Sequence, residues 1–341
     1  MIARTISPGP RRGSVKVPSS KSIAHREIIA AALSGAEQPI VRGESRDTSA
    51  TRACLEAMMA GDTVWPCGES GTTLRLLEPI AGVMGWKGEF KCEGRLGERP
   101  RMPFERKSHY VIPGNVSSQF VSGLLMALPL ADWDSEILVD GPLQSAAYVR
   151  LTEDTLLASG IEFSKIEDEG QTTILKFMIK GGQRYRFPGG REVEGDWSQA
   201  AFFLAMGVEV EGLRSDSHQG DMAVVELLTR IREGARTIDV AQTPDLYPVL
   251  AAYVAAIGRD VVFTGTERLR FKESDRIAST AALIEAVRSG RHVNTFGDHR
   301  IAMSAAVMAC YSDRPVVVEG WECVAKSYPG FWADFDSLQK A

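Results

Sequence analysis

The chain has 341 residues, about twice a usual domain length of roughly 150, so two domains with unaided cores are expected. Apolar residues make up 44% and charged residues 24%, and no apolar run reaches the roughly 18 residues of a spanning helix, which argues against disordered, fibrous and membrane-spanning classes. Net charge is −5, from 39 basic and 44 acidic residues, so bulk charge offers no surface to nucleic acid or an anionic membrane, and any anionic ligand must be held by local clustering.

Along the chain one pattern recurs: a small or polar cluster precedes an Ala/Leu-rich helical run. It starts with Pro18-Ser19-Ser20-Lys21-Ser22 before Ile23 to Leu33, and returns as Gly68 to Thr73 before Leu74 to Val83. Asn115 to Gln119 precedes Phe120 to Leu128, and Gly195-Asp196 precedes Trp197 to Met206. Thr243-Pro244-Asp245 leads into Leu246 to Ile257, Glu273-Ser274-Asp275 into Arg276 to Val287, and Gly297-Asp298 into His299 to Tyr311. Ser, Thr and Asp accept from the unpaired N–H groups of a helix start, so seven starts share one chemistry. Between them lie β-like runs at Ile137 to Val139, Thr173 to Ile179, Arg236 to Val240, Val261 to Thr264 and Val316 to Glu319. Strands alternating with helices predict an α/β protein. Breaks near Gly13 to Pro18 and Pro188 to Gly195 mark two domain crossings, which would place the N-terminal strand in the second domain.

Five cysteines (Cys54, Cys67, Cys92, Cys310, Cys323) form no CxxC pair, so neither a disulfide framework nor a zinc ribbon is suggested. Residues 1–13 carry no apolar signal core, and a cytoplasmic protein is expected.

Helix N-termini attract phosphate and carboxylate, more so when hydroxyls and a Lys are added. Lys21 and Ser22, with Arg26 a turn later, form such a site, or else a plain cap with solvated cations. Gly71 in Glu69 to Arg75 permits close ligand approach, and Ser117-Ser118-Gln119 adds hydroxyls and an amide at a third start. Arg95 and Arg99 lie in a loop-like segment where a guanidinium fork clamps an anion or simply faces solvent. In Lys272-Glu273-Ser274-Asp275-Arg276 the two cations share a helix face, while Glu273 points elsewhere as a candidate proton carrier. Asp298-His299-Arg300 repeats the theme and Lys326 follows. Asp245 is either a cap or a base facing the cations; Asp196 reads as a cap and His299 as structural. Hydrolase, zincin and dinucleotide signatures are missing, leaving anion-binding helix ends without a cofactor motif.

In this order the motifs closely resemble the 5-enolpyruvylshikimate-3-phosphate synthase family, nearly end to end. They are Val17 to Ser22, Gly68 to Arg75, Glu93 to Pro100, Gly114 to Phe120, Val193 to Ala201, Pro244-Asp245, Leu269 to Arg276, Gly297 to Met303 and Ala325-Lys326. The resemblance implies a two-domain enolpyruvyl transferase fold, inverse α/β barrel-like domains built from βαβαββ units. Residues 1–16 and 194–341 would form one domain and 17–193 the other, with the active site in the inter-domain cleft. It implies transfer of the enolpyruvyl group of phosphoenolpyruvate to the 5-hydroxyl of shikimate 3-phosphate, with phosphate released, on the route to chorismate and aromatic amino acids.

Site roles follow from the same resemblance. Lys21, Ser22, Arg26, Ser117, Ser118, Gln119, Ser145, Asp245 and Lys272 would hold shikimate 3-phosphate. Lys21, Gly71, Arg95, Gln119, Arg276, Arg300 and Lys326 would hold phosphoenolpyruvate. Lys21, Asp245 and Glu273 would be catalytic, the two carboxylates moving protons. No metal, organic cofactor, nucleic acid or membrane is expected, and the protein is expected to be a monomer. Family members are usually longer, and the links Gly61 to Cys67, Met102 to Gly114 and Ser289 to Phe296 are too short for a helix-plus-strand unit, so some units must be trimmed. Glu69, Arg268 and the Gln144-Ser145-Ala146-Ala147-Tyr148 segment depart from the common pattern. The alternatives are an inactive phospho-ligand-binding paralogue and UDP-N-acetylglucosamine enolpyruvyl transferase, which uses a reactive loop cysteine not evident here.

Overall fold

The computed structural model describes residues 3–168 and 174–340. The chain divides into two compact units, one formed by Met1–Ser20, Arg42–Ser45 and Glu194–Ala341, the other by Lys21–Val41 and Arg46–Val193. The crossing after Ser20, rather than after residue 16, reflects local bonding: Ser20 N–H donates to the Glu194 carbonyl and Asp196 N–H to that of Pro18, while Arg42 donates to the Val17 carbonyl.

The first unit opens with β1 (Ala3–Ile6), β2 (Arg11–Arg12) and β3 (Ser14–Lys16). The chain then builds the second unit: α1 (Lys21–Ser34), α2 (Arg46–Ala60), β4 (Val64–Gly68), α3 (Gly71–Met84), β5 (Glu89–Cys92), β6 (His109–Pro113), α4 (Ser118–Ala127), β7 (Ser135–Asp140), α5 (Ala146–Ala158), β8 (Phe163–Asp168) and β9 (Ile174–Ile179). It returns to the first with α6 (Trp197–Met206), β10 (Glu209–Glu211), α7 (Val224–Arg232), β11 (Thr237–Asp239), α8 (Tyr247–Ala256), β12 (Val262–Thr264), α9 (Arg276–Ser289), β13 (Val293–Asn294), α10 (His299–Cys310), β14 (Val316–Glu319), α11 (Phe331–Ser337) and β15 (Gln339–Lys340). All seven expected helices are present. The expected strands are too, though Thr173 lies outside the described residues.

In the second unit, β6 and β7 are parallel and joined through α4, and β9 runs antiparallel to both β7 and β8, giving the sheet order β6-β7-β9-β8. With α5 this is one complete βαβαββ unit. Its neighbour is reduced to the parallel pair β4 and β5 around α3. The three short links hold only β4, β6 and β13 as regular strands, with no additional helix. In the first unit the parallel pairs β3 with β10, β11 with β12 and β13 with β14 repeat the reduced form, and β1 closes antiparallel on β14.

Every residue of α10 is buried, the polar His299, Arg300 and Ser304 included, and it lies within a core that also takes in α6 and α8. Five of the seven starts are capped as expected. Ser70 accepts from Thr73 N–H, Ser117 from Gln119, Asp196 from Gln199, Asp275 from Ile277 and Ala278, and Asp298 from Arg300. The start of α8 differs: a 3-10 turn, Pro244–Leu246, runs straight into it with Pro248 in its first turn, and no side-chain cap bond forms there. Asp245 is thereby released from capping duty.

Candidate active site

In the first unit, Asp245 sits at the centre of an ionic network assembled from the starts of α8, α9 and α10. Its Oδ1 accepts from Arg276 Nη1 at 2.6 Å and Lys272 Nζ at 3.2 Å, and its Oδ2 lies 3.1 Å from Arg300 Nη2. Glu273 does not point away from the cations as expected; its Oε2 accepts from Arg276 Nη2 at 2.6 Å. Arg276, 1% exposed, is also bound through Nε to Asp298 Oδ2 at 2.9 Å. It is thus less an exposed anion clamp than the hub of three carboxylates. Burial opposes its charge, but Asp298, Glu273 and Asp245 outweigh that and hold the guanidinium firmly protonated.

Lys272 is poised differently. Burial lowers its pKa, with Asp245 opposing and Arg276 reinforcing the shift, the direction that makes an ammonium readier to release a proton. Arg300 donates to the Asp245 carbonyl at 3.1 Å and to Ser198 Oγ at 2.7 Å. Lys326 ends the 3-10 turn Trp321–Lys326 and is buried. Asp196 is a cap, and His299 is buried in the first turn of α10.

In the second unit, Lys21 opens α1 and its ammonium lies 2.8 Å from Asp47 Oδ2 in the first turn of α2. Arg26, 1% exposed, donates to Thr152 Oγ1 at 2.7 Å, the Ser22 carbonyl at 2.6 Å, the Tyr148 carbonyl at 2.8 Å and Ser122 Oγ at 3.3 Å. It ties α1 to α4 and α5, and burial lowers it to about 10. Gln119 is locked between Arg75 Nη1, donating to Oε1 at 2.6 Å, and Thr72 Oγ1, accepting from Nε2 at 2.8 Å. Ser118 is buried beside the Ser117 cap. Ser145 precedes α5 with φ 58°, left-handed for a non-glycine, the kind of strain that concentrates at functional positions.

Gly71 shows which guanidiniums are near. A Cβ there would lie 3.2 Å from Arg75 Nη1 and 3.3 Å from Arg99 Nη1. Arg95 instead sits in the short turn Gly94–Glu98, half exposed, 3.5 Å from Glu98. Arg75 and Arg99 are thus the guanidiniums nearest Gly71. Arg75 was legible as the residue four beyond Gly71 on one helix face. Asp47 and Ser198 carry no comparable local signal.

Among the described residues no group of three or more His, Cys, Asp or Glu is placed to hold a metal ion, and no helix is long and apolar enough to cross a membrane. The cysteines Cys92, Cys310 and Cys323 are pushed up to about 11, 11 and 12, mainly by burial, the opposite of a reactive thiolate.

The sequence model of EPSP synthase (3-phosphoshikimate 1-carboxyvinyltransferase) matches residues 7–65 and 101–335. This chain belongs to the EPSP synthase family. It is 34% identical to the 3-phosphoshikimate 1-carboxyvinyltransferase of Clostridium kluyveri over 98% of this chain and 96% of that protein, and 32% identical, with the same coverage, to that of Clostridioides difficile. The first alignment runs over 418 positions, more than the 341 residues here, so this family member lacks internal segments that its relative has. The EPSP synthase of Acinetobacter baumannii shares the fold, with a TM-score of 0.72 at 21% identity over 99% of this chain and 98% of that one. The enolpyruvyl transferase NikO of Streptomyces tendae follows at 0.61 and 13%, over 99% and 98%.

Proposed function

We propose that this EPSP synthase family member transfers the enolpyruvyl group of phosphoenolpyruvate to the 5-hydroxyl of shikimate 3-phosphate, releasing phosphate. The observation that carries the reading is the Asp245, Lys272, Glu273, Arg276 and Arg300 network, in which two carboxylates and a lysine with a lowered pKa stand together. The reaction asks for that inventory. The 5-hydroxyl oxygen bonds to C2 of phosphoenolpyruvate as Asp245 takes its proton and Glu273 supplies one to C3. The C2–O bond to phosphate then breaks, C3 returns its proton to Glu273, and the proton on Asp245 leaves with the phosphate. The cations at these helix starts stabilise the phosphates and the carboxylate by exchanging their present carboxylate partners for substrate oxygens.

Lys21, Ser22, Ser117, Ser118, Gln119, Ser145 and Lys272 serve shikimate 3-phosphate, with Arg26 bracing α1 behind them. Gly71, Arg75, Arg99, Arg276, Arg300 and Lys326 serve phosphoenolpyruvate. Support for Arg99 is its place beside Gly71. We also infer a cytoplasmic monomer, for which sedimentation at the 37.2 kDa chain mass is the test.

Phosphate release from the two substrates by purified protein tests the activity. Glu273→Gln keeps an acceptor for Arg276 but removes the titrating group, so kcat falls about 10²- to 10⁴-fold. Full activity in both Glu273→Gln and Lys21→Met overturns the assignment of roles. An absence of phosphate release by the unsubstituted chain, with phosphoenolpyruvate still bound, favours an inactive paralogue.

A further inference from the structure

Across the N-terminal turns of α1, α2 and α3 runs a chain of four buried polar side chains to which no substrate role is assigned: His25, Thr51, Thr73 and Ser70. His25 Nδ1 lies 2.6 Å from Thr51 Oγ1, Thr51 Oγ1 lies 2.7 Å from Thr73 Oγ1, and Thr73 Oγ1 donates to Ser70 Oγ at 2.7 Å. Each hydroxyl has one proton to give. With the Thr73 proton on the near Ser70 oxygen rather than on the Asp47 carbonyl at 3.3 Å, Thr73 accepts from Thr51, and Thr51 in turn accepts from His25 Nδ1–H. The ladder therefore has one donor direction, and it leaves His25 as the tautomer with a bare Nε2, an atom that has no hydrogen-bond partner among the described residues.

The ladder reaches two residues assigned to substrate. Ser70 accepts from Thr73 N–H at 3.3 Å and so caps α3, whose first residue is Gly71. The Thr51 and Thr73 hydroxyls lie 3.5 and 3.3 Å from the Asp47 carbonyl, and the Asp47 side chain holds the Lys21 ammonium at 2.8 Å. Stability alone does not ask for this arrangement. The same three helices contribute Ile28, Cys54, Leu74 and Leu77 to an apolar core, and replacing both partners of a buried hydrogen bond by apolar groups of the same shape is often nearly neutral. A connected buried network instead specifies one geometry.

We propose that Thr51 and Thr73 are positioning residues for substrate binding: anchored on His25, their hydroxyls hold the starts of α2 and α3 in register, which sets the Lys21 ammonium through Asp47 and the Gly71 backbone through the Ser70 cap. The proposal rests on the reading of Lys21 and Gly71 as substrate contacts. The donor order needs an uncharged imidazole, and burial, which lowers the His25 pKa to about 3, keeps the ring neutral.

The test is calorimetric binding of each substrate, with the thermal midpoint beside it, for Thr51→Val, Thr73→Val, their pair, Thr51→Ser, Thr73→Ser and the control Thr155→Val. Valine keeps the shape of threonine without the hydroxyl, and serine keeps the hydroxyl. Thr155 Oγ1 donates to the Leu151 carbonyl at 2.9 Å within α5, so its valine variant loses a buried hydroxyl bond outside the ladder. Each ladder valine variant should weaken binding of both substrates about 10-fold, as loss of one buried hydrogen bond allows. The pair should be no worse than the worse single variant, while the serine variants and Thr155→Val should stay within about twofold of the parent. Unchanged affinity for either substrate in a folded ladder valine variant overturns the proposal whatever happens to the midpoint, as do additive losses in the pair or an equal loss in Thr155→Val. Nitrogen NMR of His25 needs no substrate. It should show an Nδ1–H tautomer that Thr73→Val disturbs, and an Nε2–H tautomer in the unsubstituted chain overturns the proposal even should a valine variant fail to fold. Failure of phosphate release by the unsubstituted chain would instead count against the proposed function, since neither readout depends on turnover.

Discussion

Arg276 meets Asp245, Glu273 and Asp298 at 2.6 to 2.9 Å with 1% of its side chain exposed. Removing one side of a buried ion set leaves the rest uncompensated, typically at about 3–5 kcal/mol. Arg276→Met should therefore lower the denaturation midpoint by an amount equivalent to about 3–5 kcal/mol, as well as activity; a variant as stable as the parent in urea would mean that the three carboxylates do not depend on this guanidinium. His25 makes a separate, pH-dependent contribution. It is 0% exposed, hydrogen-bonded through Nδ1 to Thr51 Oγ1 at 2.6 Å, and burial lowers its pKa from 6.5 to about 3, with Asp47 opposing and Lys21 and Arg26 reinforcing the shift. Between these values the unfolded chain binds the proton and the folded chain does not, so stability is lost as pH falls from about 6.5, at about 1.4 kcal/mol per pH unit. Asp221 has the opposite sign: raised by burial from 3.8 to about 6, it binds its proton more readily in the folded chain, so its contribution grows as pH falls across that range. Unfolding titrations at pH 4, 5 and 6 should show a flatter or reversed pH slope for His25→Gln. An unchanged slope would mean that His25 titrates alike in both states.

Helices α3 and α4 are in close contact, and Gly123 is where that closeness is set. A Cβ there would lie 2.2 Å from the Arg75 carbonyl oxygen, a backbone atom that cannot swing aside. Gly123→Ala must separate the helices, at a cost of about 3 kcal/mol, and stretch the Arg75–Gln119 bond that links them. Its thermal midpoint should drop and its phosphoenolpyruvate KM rise together; a loss of stability with no change in KM would uncouple this packing from the site. Such contacts were not readable from sequence. The helix starts at Ser70, Ser117, Asp196, Asp275 and Asp298 were, because a cap is a bond between near neighbours in the chain. Strands such as β3 or β13, of two or three residues, are too short to display an alternating pattern. At the site, motif residues such as Asp245, Lys272 and Arg300 could be named in advance. Their pairing, the turning of Glu273 toward Arg276, and the Arg300–Ser198 bond arise from packing between α6, α8, α9 and α10.

The two units differ in how far apart their paired segments lie along the chain. In the first, Ala3 pairs with Glu319 and Ser14 with Glu209, whereas the four-stranded sheet of the second is made within residues 109–179. Distant pairings must overcome loop-closure entropy before they are rewarded, and they form slowly. In refolding followed by pulsed hydrogen exchange, amides of β6, β7 and β9 should gain protection before those of β1 and β14. Equal or reversed protection times would show that chain separation does not set the order.

The bridge between Ser19 and Gly195, with Ser20 N–H bound to the Glu194 carbonyl at 2.6 Å, places the two ends of the inserted segment side by side within the first unit. On the inserted side, a parallel bridge joins Ile40 and Glu192. For a gene, this junction tolerates editing. Residues can be gained or lost between these fastened points without altering the spacing that the first unit meets. The shortening within the inserted segment, at the links Gly61 to Cys67 and Met102 to Gly114, can therefore proceed by successive deletions while the register around Asp245 and Arg276 stays as it was.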